Sequence, residues 1–383
     1  MRFAHIADCH LGAWSNHPEL RELPLQAFQK AVDMIISEKL DFVVLAGDFF
    51  DSSMPAVDVM RFAAEQLMRL KLADIPVYAI AGSHDYSPTG KTMLSVLEAA
   101  GLLRNAHMRW LEDKSGARIF GVEGLRGGLD REHFDELKSV GKGEGYKILL
   151  LHSAVDEISG MKGVSFSQLP KGFDYYASGH VHERAQRAFG EGLIGFPGPL
   201  FPTEFSELEM LGGGSFSIVD VSNGRTNMRS EKVELCDVKA LSVNCDGKSP
   251  HQVETELVND LGGLEVDGSI VLIKATGILA SGKPTDICWK RITDAALQAG
   301  AKAVKRSVNV TSKDVEMATI DALGSLEQIE QMIIEKNIGK IDDKDMILRL
   351  MPVLALEKSE DEKNVVYEEK IKFGVKRLLD LGV

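Results

Sequence analysis

Five short apolar runs, Phe3 to Ala7, Phe42 to Ala46, Val77 to Ala81, Ile148 to Leu151 and Asp174 to Ala177, each lead straight into residues that bind divalent cations. The first delivers Asp8 and His10, the second Asp48, the third Ser83, His84 and Asp85, the fourth His152, and the fifth His180 and His182. The runs read as strands, and the segments near Leu25 to Glu38, Ala56 to Lys71, Lys91 to Ala100 and Asp130 to Leu137 carry helical periodicity. Such alternation predicts an α/β core, and open α/β sheets place their ligand sites beyond the carboxyl ends of the strands.

Neutral imidazole combined with carboxylate suits manganese, iron or zinc, whereas magnesium and calcium prefer oxygen ligands alone. If the ligand segments are extended, residues two apart project to the same side, so Asp8 with His10 and His180 with His182 would converge on one centre. Cys9, between two of them, would then point away and pack. Gly47, Gly82 and Gly179 fit loops in which the backbone passes close to the cluster.

In order, these residues form D-x-H, G-D, G-S-H-D, H and G-H-x-H, and the chain resembles the calcineurin-like metallophosphoesterases. The spacing and the additional carboxyl-terminal segments resemble more narrowly the DNA double-strand-break repair nucleases, called Mre-eleven in archaea and eukaryotes and SbcD in bacteria. The resemblance implies a four-layer αββα sandwich with a small α/β capping domain and a helical tail. It implies two divalent ions, Mn2+ for preference, one on Asp8, His10, Asp48 and His182, the other on Asp48, Ser83, His152 and His180. Asp48 would bridge them. His84 would contact the scissile phosphate or protonate the leaving oxygen, with Asp85 orienting its ring.

Two positions depart from the family pattern. Ser83 stands where an Asn usually coordinates the second metal, and a hydroxyl is shorter and a weaker ligand, so that site should be the weaker. Asp51 stands where several members carry a histidine facing DNA, and a carboxylate there would repel phosphate unless turned away.

Beyond Gly179 the texture changes to short strand-like pieces, Gly192 to Phe196, Ser215 to Val219 and Thr226 to Val233, read as added antiparallel strands. Between about Val238 and Val310 the pattern runs strand, helix, strand, helix, strand, with helices near His251 to Leu261 and Pro284 to Ala299. The expected division is therefore 1–235 for the phosphoesterase domain, 236–312 for the capping domain, a DNA-binding part by resemblance, and 325–383 for the tail. In that tail Ser325 with Gln328 opens one amphipathic helix, and Tyr367, Ile371, Val375 and Leu378 mark another. Gly374 within the second should cost about 1 kcal/mol relative to Ala. By resemblance the tail binds the SMC-like ATPase called Rad-fifty or SbcC.

No apolar run approaches the roughly 20 residues that span a bilayer, so no membrane association is expected. Met1 to Ile6 lacks the features of a signal peptide, and the four scattered cysteines make neither a C-x-x-C pair nor a disulfide framework, so a cytoplasmic protein with reduced thiols is expected. The net charge of −13 is the wrong sign for broad electrostatic binding of DNA, which bound cations could offset locally. The helix Ala56 to Lys71 is apolar around most of its circumference, as is Met93 to Ala100; the resemblance implies a homodimer there, and two-sided burial within one subunit is the alternative. His5, His17, His107, His133 and His251 read as packing or surface residues, and Arg126, Arg184 and Arg187 as surface residues near the motif loops.

The leading function is thus a manganese-dependent nuclease, both 3'-5' exonuclease and endonuclease, acting on double-strand ends and single strands of DNA. A small-substrate phosphatase or phosphodiesterase would use the same metals, but would have no need for the segments beyond residue 235. A DNA-tethering scaffold weakened by Ser83 is a third possibility.

Overall fold

Side chains along the predicted strands sort by parity. In the computed structural model, which describes residues 1–87, 91–124, 137, 140–312, 350, 353, 356 and 364–378, the chain builds three sheets in succession. It lays down β1 (Arg2–Ile6), β2 (Phe42–Ala46), β3 (Val77–Ile80) and β4 (Arg104–Asn105), all parallel. A second sheet follows, from β5 (Leu111–Glu112), β6 (Ala117–Val122), β7 (Tyr146–His152), β8 (Tyr175–Gly179), β9 (Arg184–Phe189) and β10 (Gly192–Pro197). The hairpin of β11 (Gly214–Ser222) and β12 (Arg225–Val233) returns to the first sheet, giving the orders β12-β11-β1-β2-β3-β4 and β5-β6-β7-β8-β10-β9.

Every second residue of the central strands points between the two sheets. Phe3, Phe42, Val44, Tyr78 and Ile80 meet Ile119, Ile148, Leu150, Tyr175 and Ala177 there. The alternate residues Ala4, Ile6, Val43, Leu45, Val77 and Ala79 face the opposite way, beneath α1 (Leu23–Ser37) and α2 (Val57–Leu72). In the second sheet Leu149, Leu151 and Tyr176 likewise turn outward into a separate core. With apolar surface on both faces, such strands have no polar parity, and hence they appear in the sequence as unbroken apolar runs.

The expected strands hold to within three residues. One expectation is corrected: of the pieces beyond Gly179, β11 runs antiparallel to β1 but β10 joins β8 in parallel, and only its other neighbour, β9, is antiparallel to it. The reversal between β9 and β10 takes only the two residues at 190–191, and this places β10 back alongside β8. The helix expected at Asp130 to Leu137 lies, but for Leu137, outside the described residues, as does the one opening at Ser325.

On the outer face, α2 buries Val59, Ala63, Leu67 and Leu70, while Val57 is 86% and Leu72 80% exposed. Burial within one subunit is therefore one-sided. Val96 of α3 (Met93–Ala99) is exposed as well.

After a seven-residue helix, α4 (Phe205–Leu211), the segment from 236 onward forms a third sheet, β13 (Val238–Asn244), β14 (Ile270–Leu279) and β15 (Ala303–Ser312), wholly parallel. The crossovers are α5 (Pro250–Gly262), which starts on a Ser249–Gln252 capping box, and α6 (Trp289–Gln298). Those helices cover one face over Val253, Leu257, Val271, Ile273 and Ile292. The other face contributes Ile270, Leu272 and Ala303 to the core of the first sheet. Lys305 reaches from β15 to the loop that follows His10, with Nζ 2.8 Å from His17 Nε2 and 4.7 Å from the Trp14 ring centre. Residues 1–314 form one compact unit and 315–383 another. Within the latter, α7 (Asn364–Leu378) half-buries Tyr367, Ile371, Val375 and Leu378, and a Cβ on Gly374 would lie 2.6 Å from Val353. Close approach explains the glycine.

Between the sheets Phe3 and Phe42 stack with ring centres 4.7 Å apart, both wholly buried. Phe42→Ala is expected to destabilise the metal-free protein by about 3–5 kcal/mol, as transfer and cavity terms add. Denaturant unfolding in chelator would measure this.

Candidate metal centre

The carboxyl ends of β1, β2, β3, β7 and β8 lie at the same edge of the two sheets, and each delivers its residues there. His152 is the last residue of β7, whereas Asp8, His10, Asp48, Ser83, His84, His180 and His182 lie in the loops just beyond their strands. Among the described residues, three groups bring ligand atoms within 4.8 Å of one another: Asp8, His10 and His182; Asp48, His152 and His180; and His10, Asp48 and His84.

Strand alternation does not produce this convergence. Asp8 (φ 50°), His10 (φ 42°), Asp48 (φ 46°) and His180 (φ 82°) all take left-handed backbone conformations, which for non-glycine residues cost of order 1–3 kcal/mol each and persist where the surroundings enforce them. Here main-chain bonds between loops do so, from Asp8 N–H to the Gly47 carbonyl (3.2 Å) and from His10 N–H to that of Asp48 (3.0 Å). Cys9 is buried in the core beneath the first sheet, consistent with a packing role. The glycines permit the density of the site. A Cβ on Gly47, itself at φ 86°, would lie 2.3 Å from His152 Nδ1, and one on Gly82 would lie 2.2 Å from an Asp48 oxygen.

The tautomers follow from the partners. His152 Nδ1 donates to the Ala46 carbonyl at 2.8 Å, so its Nε2 presents a lone pair 3.0 Å from an Asp48 oxygen. His182 Nδ1 donates to Glu207 Oε1 at 2.5 Å, so its Nε2 presents a lone pair 3.7 Å from an Asp8 oxygen, with His10 Nε2 3.2 Å away. Acceptor facing acceptor is repulsive unless a cation lies between. Among the described residues, buried His152 Nε2 and His10 Nδ1 have no hydrogen-bond partner. A divalent metal fits this donor set, and the outward hydrogen bonds fix ligating imidazoles as such sites require.

Protons are the alternative cations. Burial disfavours charge on His152, but Asp48 and then Asp8 outweigh it, and its pKa rises to about 10. At His182 burial is likewise overcome, by Glu207 and Asp8, and the pKa rises to about 9. Asp48 is held well below the usual carboxylate range: burial opposes this, and His152 and His10 enforce it.

Asp48 Oδ1 accepts the His84 N–H at 2.8 Å, and Ser83 Oγ lies 3.3 Å from its other oxygen. Asp51 is turned toward the centre, Oδ1 3.3 Å from His10 Nδ1. Asp85 does not orient His84. Its carboxylate accepts the main-chain N–H groups of Phe49, Phe50 and Gly82 at 2.9–3.1 Å, while His84 Nδ1 donates to the Asp51 carbonyl at 2.8 Å. The reason is geometric: Asp85 is wholly inside, pinning the loops after β2 and β3 together, and His84 faces solvent. Burial, then Asp48, raises Asp85 to about 6. Arg187 is engaged elsewhere, donating to the Glu157 carbonyl, and Arg126 lies outside the described residues.

The cluster opens into a cleft of about 580 Å³, whose walls include Trp14, Met161, Met210 and the carboxylates Glu183 and Glu204. Glu207, on α4, escapes sequence reasoning; an acidic residue in the first turn of a short helix signals a cap, and nothing in its spacing points to His182.

Residues 1–184 match the calcineurin-like phosphoesterase family. The chain is 30% identical over 294 residues to the DNA double-strand break repair protein Mre11 of Thermoplasma acidophilum, covering 70% of this chain and 77% of that one. It is 27% identical over 390 residues to the protein of that name from Archaeoglobus fulgidus, covering 94% and 82%. The match with that of Methanococcus maripaludis, 31% over 204 residues, covers 50% of this chain and 54% of the relative.

Because the rings of His152 and His182 hold protons up to about pH 10 and 9 in the metal-free protein, a metal must displace them. Affinity for Mn2+ should therefore rise with pH from neutrality to about 9, with protons released. Calorimetry in buffers of different ionisation enthalpy checks both.

Proposed function

The chain belongs to the Mre11 family of calcineurin-like phosphoesterases, and on that premise we propose that it is a two-metal DNA nuclease acting in double-strand break repair. The observation that carries the reading is the pair of facing acceptors, His152 Nε2 against Asp48 and His182 Nε2 against Asp8, beside an open cleft. One Mn2+ would be held by Asp8, His10, Asp48 and His182, the other by Asp48, Ser83, His152 and His180. Bound there, the ions would supply an activated water and neutralise charge on the phosphoryl oxygens.

The protein's own groups do the rest. With Nδ1 committed to the Asp51 carbonyl, His84 has Nε2 left to meet a phosphate oxygen or, protonated, to hand a proton to the leaving oxygen. Asp85 acts one step removed, fixing the main chain on which Gly82, Ser83 and His84 sit. Asp51, 40% exposed and lining the cleft beside His10, keeps a negative charge where a DNA strand would pass, which bound cations would have to offset.

The third sheet would cap the cleft and contact DNA, the exposed apolar faces of α2 and α3 would pair two copies of the chain, and the segment 325–383 would engage an SMC-like ATPase. Exonuclease action in the 3'-5' direction and endonuclease action belong to the same reading.

Release of nucleotides from plasmid and hairpin DNA with Mn2+ should far exceed hydrolysis of a panel of phosphate monoesters; the reverse ranking would make this a small-substrate phosphatase. His84→Ala should lower DNA cleavage about 10²-fold or more with metal uptake unchanged. Calorimetry should show two unequal Mn2+ sites, and Ser83→Asn should tighten the weaker.

A further inference from the structure

Glu207 divides its two carboxylate oxygens between different tasks. Oε2 accepts the main-chain N–H groups of Thr203 (2.7 Å) and Glu204 (3.3 Å) and the Thr203 hydroxyl (3.2 Å), tying down the start of α4. Oε1 is left for His182 Nδ1 at 2.5 Å. A residue needed only to cap a helix would have no reason to hold a half-buried carboxylate against an imidazole of the metal cluster. Its seat is rigid, because the next residue, Leu208, is fully buried in the core beneath the first sheet, and α4 packs against β13 and β15. The pair also differs from the other imidazole supports of the cluster: His152 and His84 lean on main-chain carbonyls, whereas His182 alone of these three leans on a carboxylate.

On the two-metal reading above, we propose that Glu207 is the positioning residue of His182, holding the ring with Nδ1 protonated and Nε2 presented toward Asp8 and His10. A ring lacking that partner is free to rotate or to change tautomer, and either turns the lone pair away from the centre. A carboxylate hydrogen-bonded to a ligating imidazole also makes it the better donor to a metal, and loss of such a partner typically weakens metal binding by about 10–100-fold. The effect should be confined to the site that His182 serves, because His152 of the other site and the shared Asp48 are held by different partners.

The test uses the full chain as Glu207→Ala and Glu207→Gln, stripped of metal and titrated with Mn2+ by calorimetry, with Co2+ absorption spectra and metal-free melting alongside. The expected result is that Glu207→Ala weakens one of the two sites about 10–100-fold and leaves the other as in the wild type. The Co2+ spectrum of the weakened site changes, and Glu207→Gln, whose single amide oxygen can still accept from His182 Nδ1 while its amide nitrogen cannot accept from the helix start, recovers part of the metal affinity. Wild-type affinity at both sites in Glu207→Ala would overturn the proposal. So would parallel weakening of both sites in step with a fall in metal-free melting temperature, since that pattern belongs to a purely structural cap. Should the wild-type chain itself take up no metal, the two-metal reading falls instead.

Discussion

Asp48 is a carboxylate with 2% of its surface exposed, and much of the surrounding architecture compensates for that burial. Withdrawing an ionised carboxylate from water costs several kcal/mol unless nearby charges and hydrogen-bond donors replace the solvent. Asp48 receives the His84 main-chain N–H and has the Ser83 hydroxyl and the His152 ring close by. Gly82 opposite it leaves out the side-chain atoms that would otherwise fill its space, and Gly47 ahead of it leaves room for the His152 ring. The two sheets meet across a largely apolar interior, in which buried His5 is hydrogen-bonded to Tyr175, and that packing holds five strand ends in place around one charge.

Much of this was legible in the sequence because two signals coincide. Strands buried on both faces appear as apolar runs, and the residues that end them have the chemistry of metal ligands, so element positions and ligand identities followed together. How the ligands converge was not legible. Alternation along an extended segment predicted that Asp8 and His10 would share a side, but each sits in a left-handed turn, and local sequence does not encode a conformation that hydrogen bonds from a loop some forty residues away enforce. Asp85 and Glu207 were hidden for the same reason. Proximity to His84 in the chain suggested a partner for its ring, while the actual donors to Asp85 come mostly from the loop after β2, and the carboxylate that holds His182 comes from 25 residues downstream.

The electrostatic balance looks different at the site than over the whole chain. A net charge of −13 disfavours contact with a polyanion, and Glu183 and Glu204 line the cleft without compensating it. Where an acidic centre gathers divalent cations, its sign toward phosphate reverses. Attraction for substrate then depends on occupancy of the centre, unlike that of a protein whose surface is basic throughout.

The four left-handed residues at the strand ends carry a consequence for transfer of this chemistry between scaffolds. Their side chains are aimed by main-chain torsions that neighbouring loops impose. Copying the same amino acids to the strand ends of another α/β sheet would reproduce the composition of the centre and lose its directions. What is inherited as a unit is the set of loops with their crossed main-chain bonds, so variation can be expected to fall on the walls of the cleft before it reaches the turns beneath.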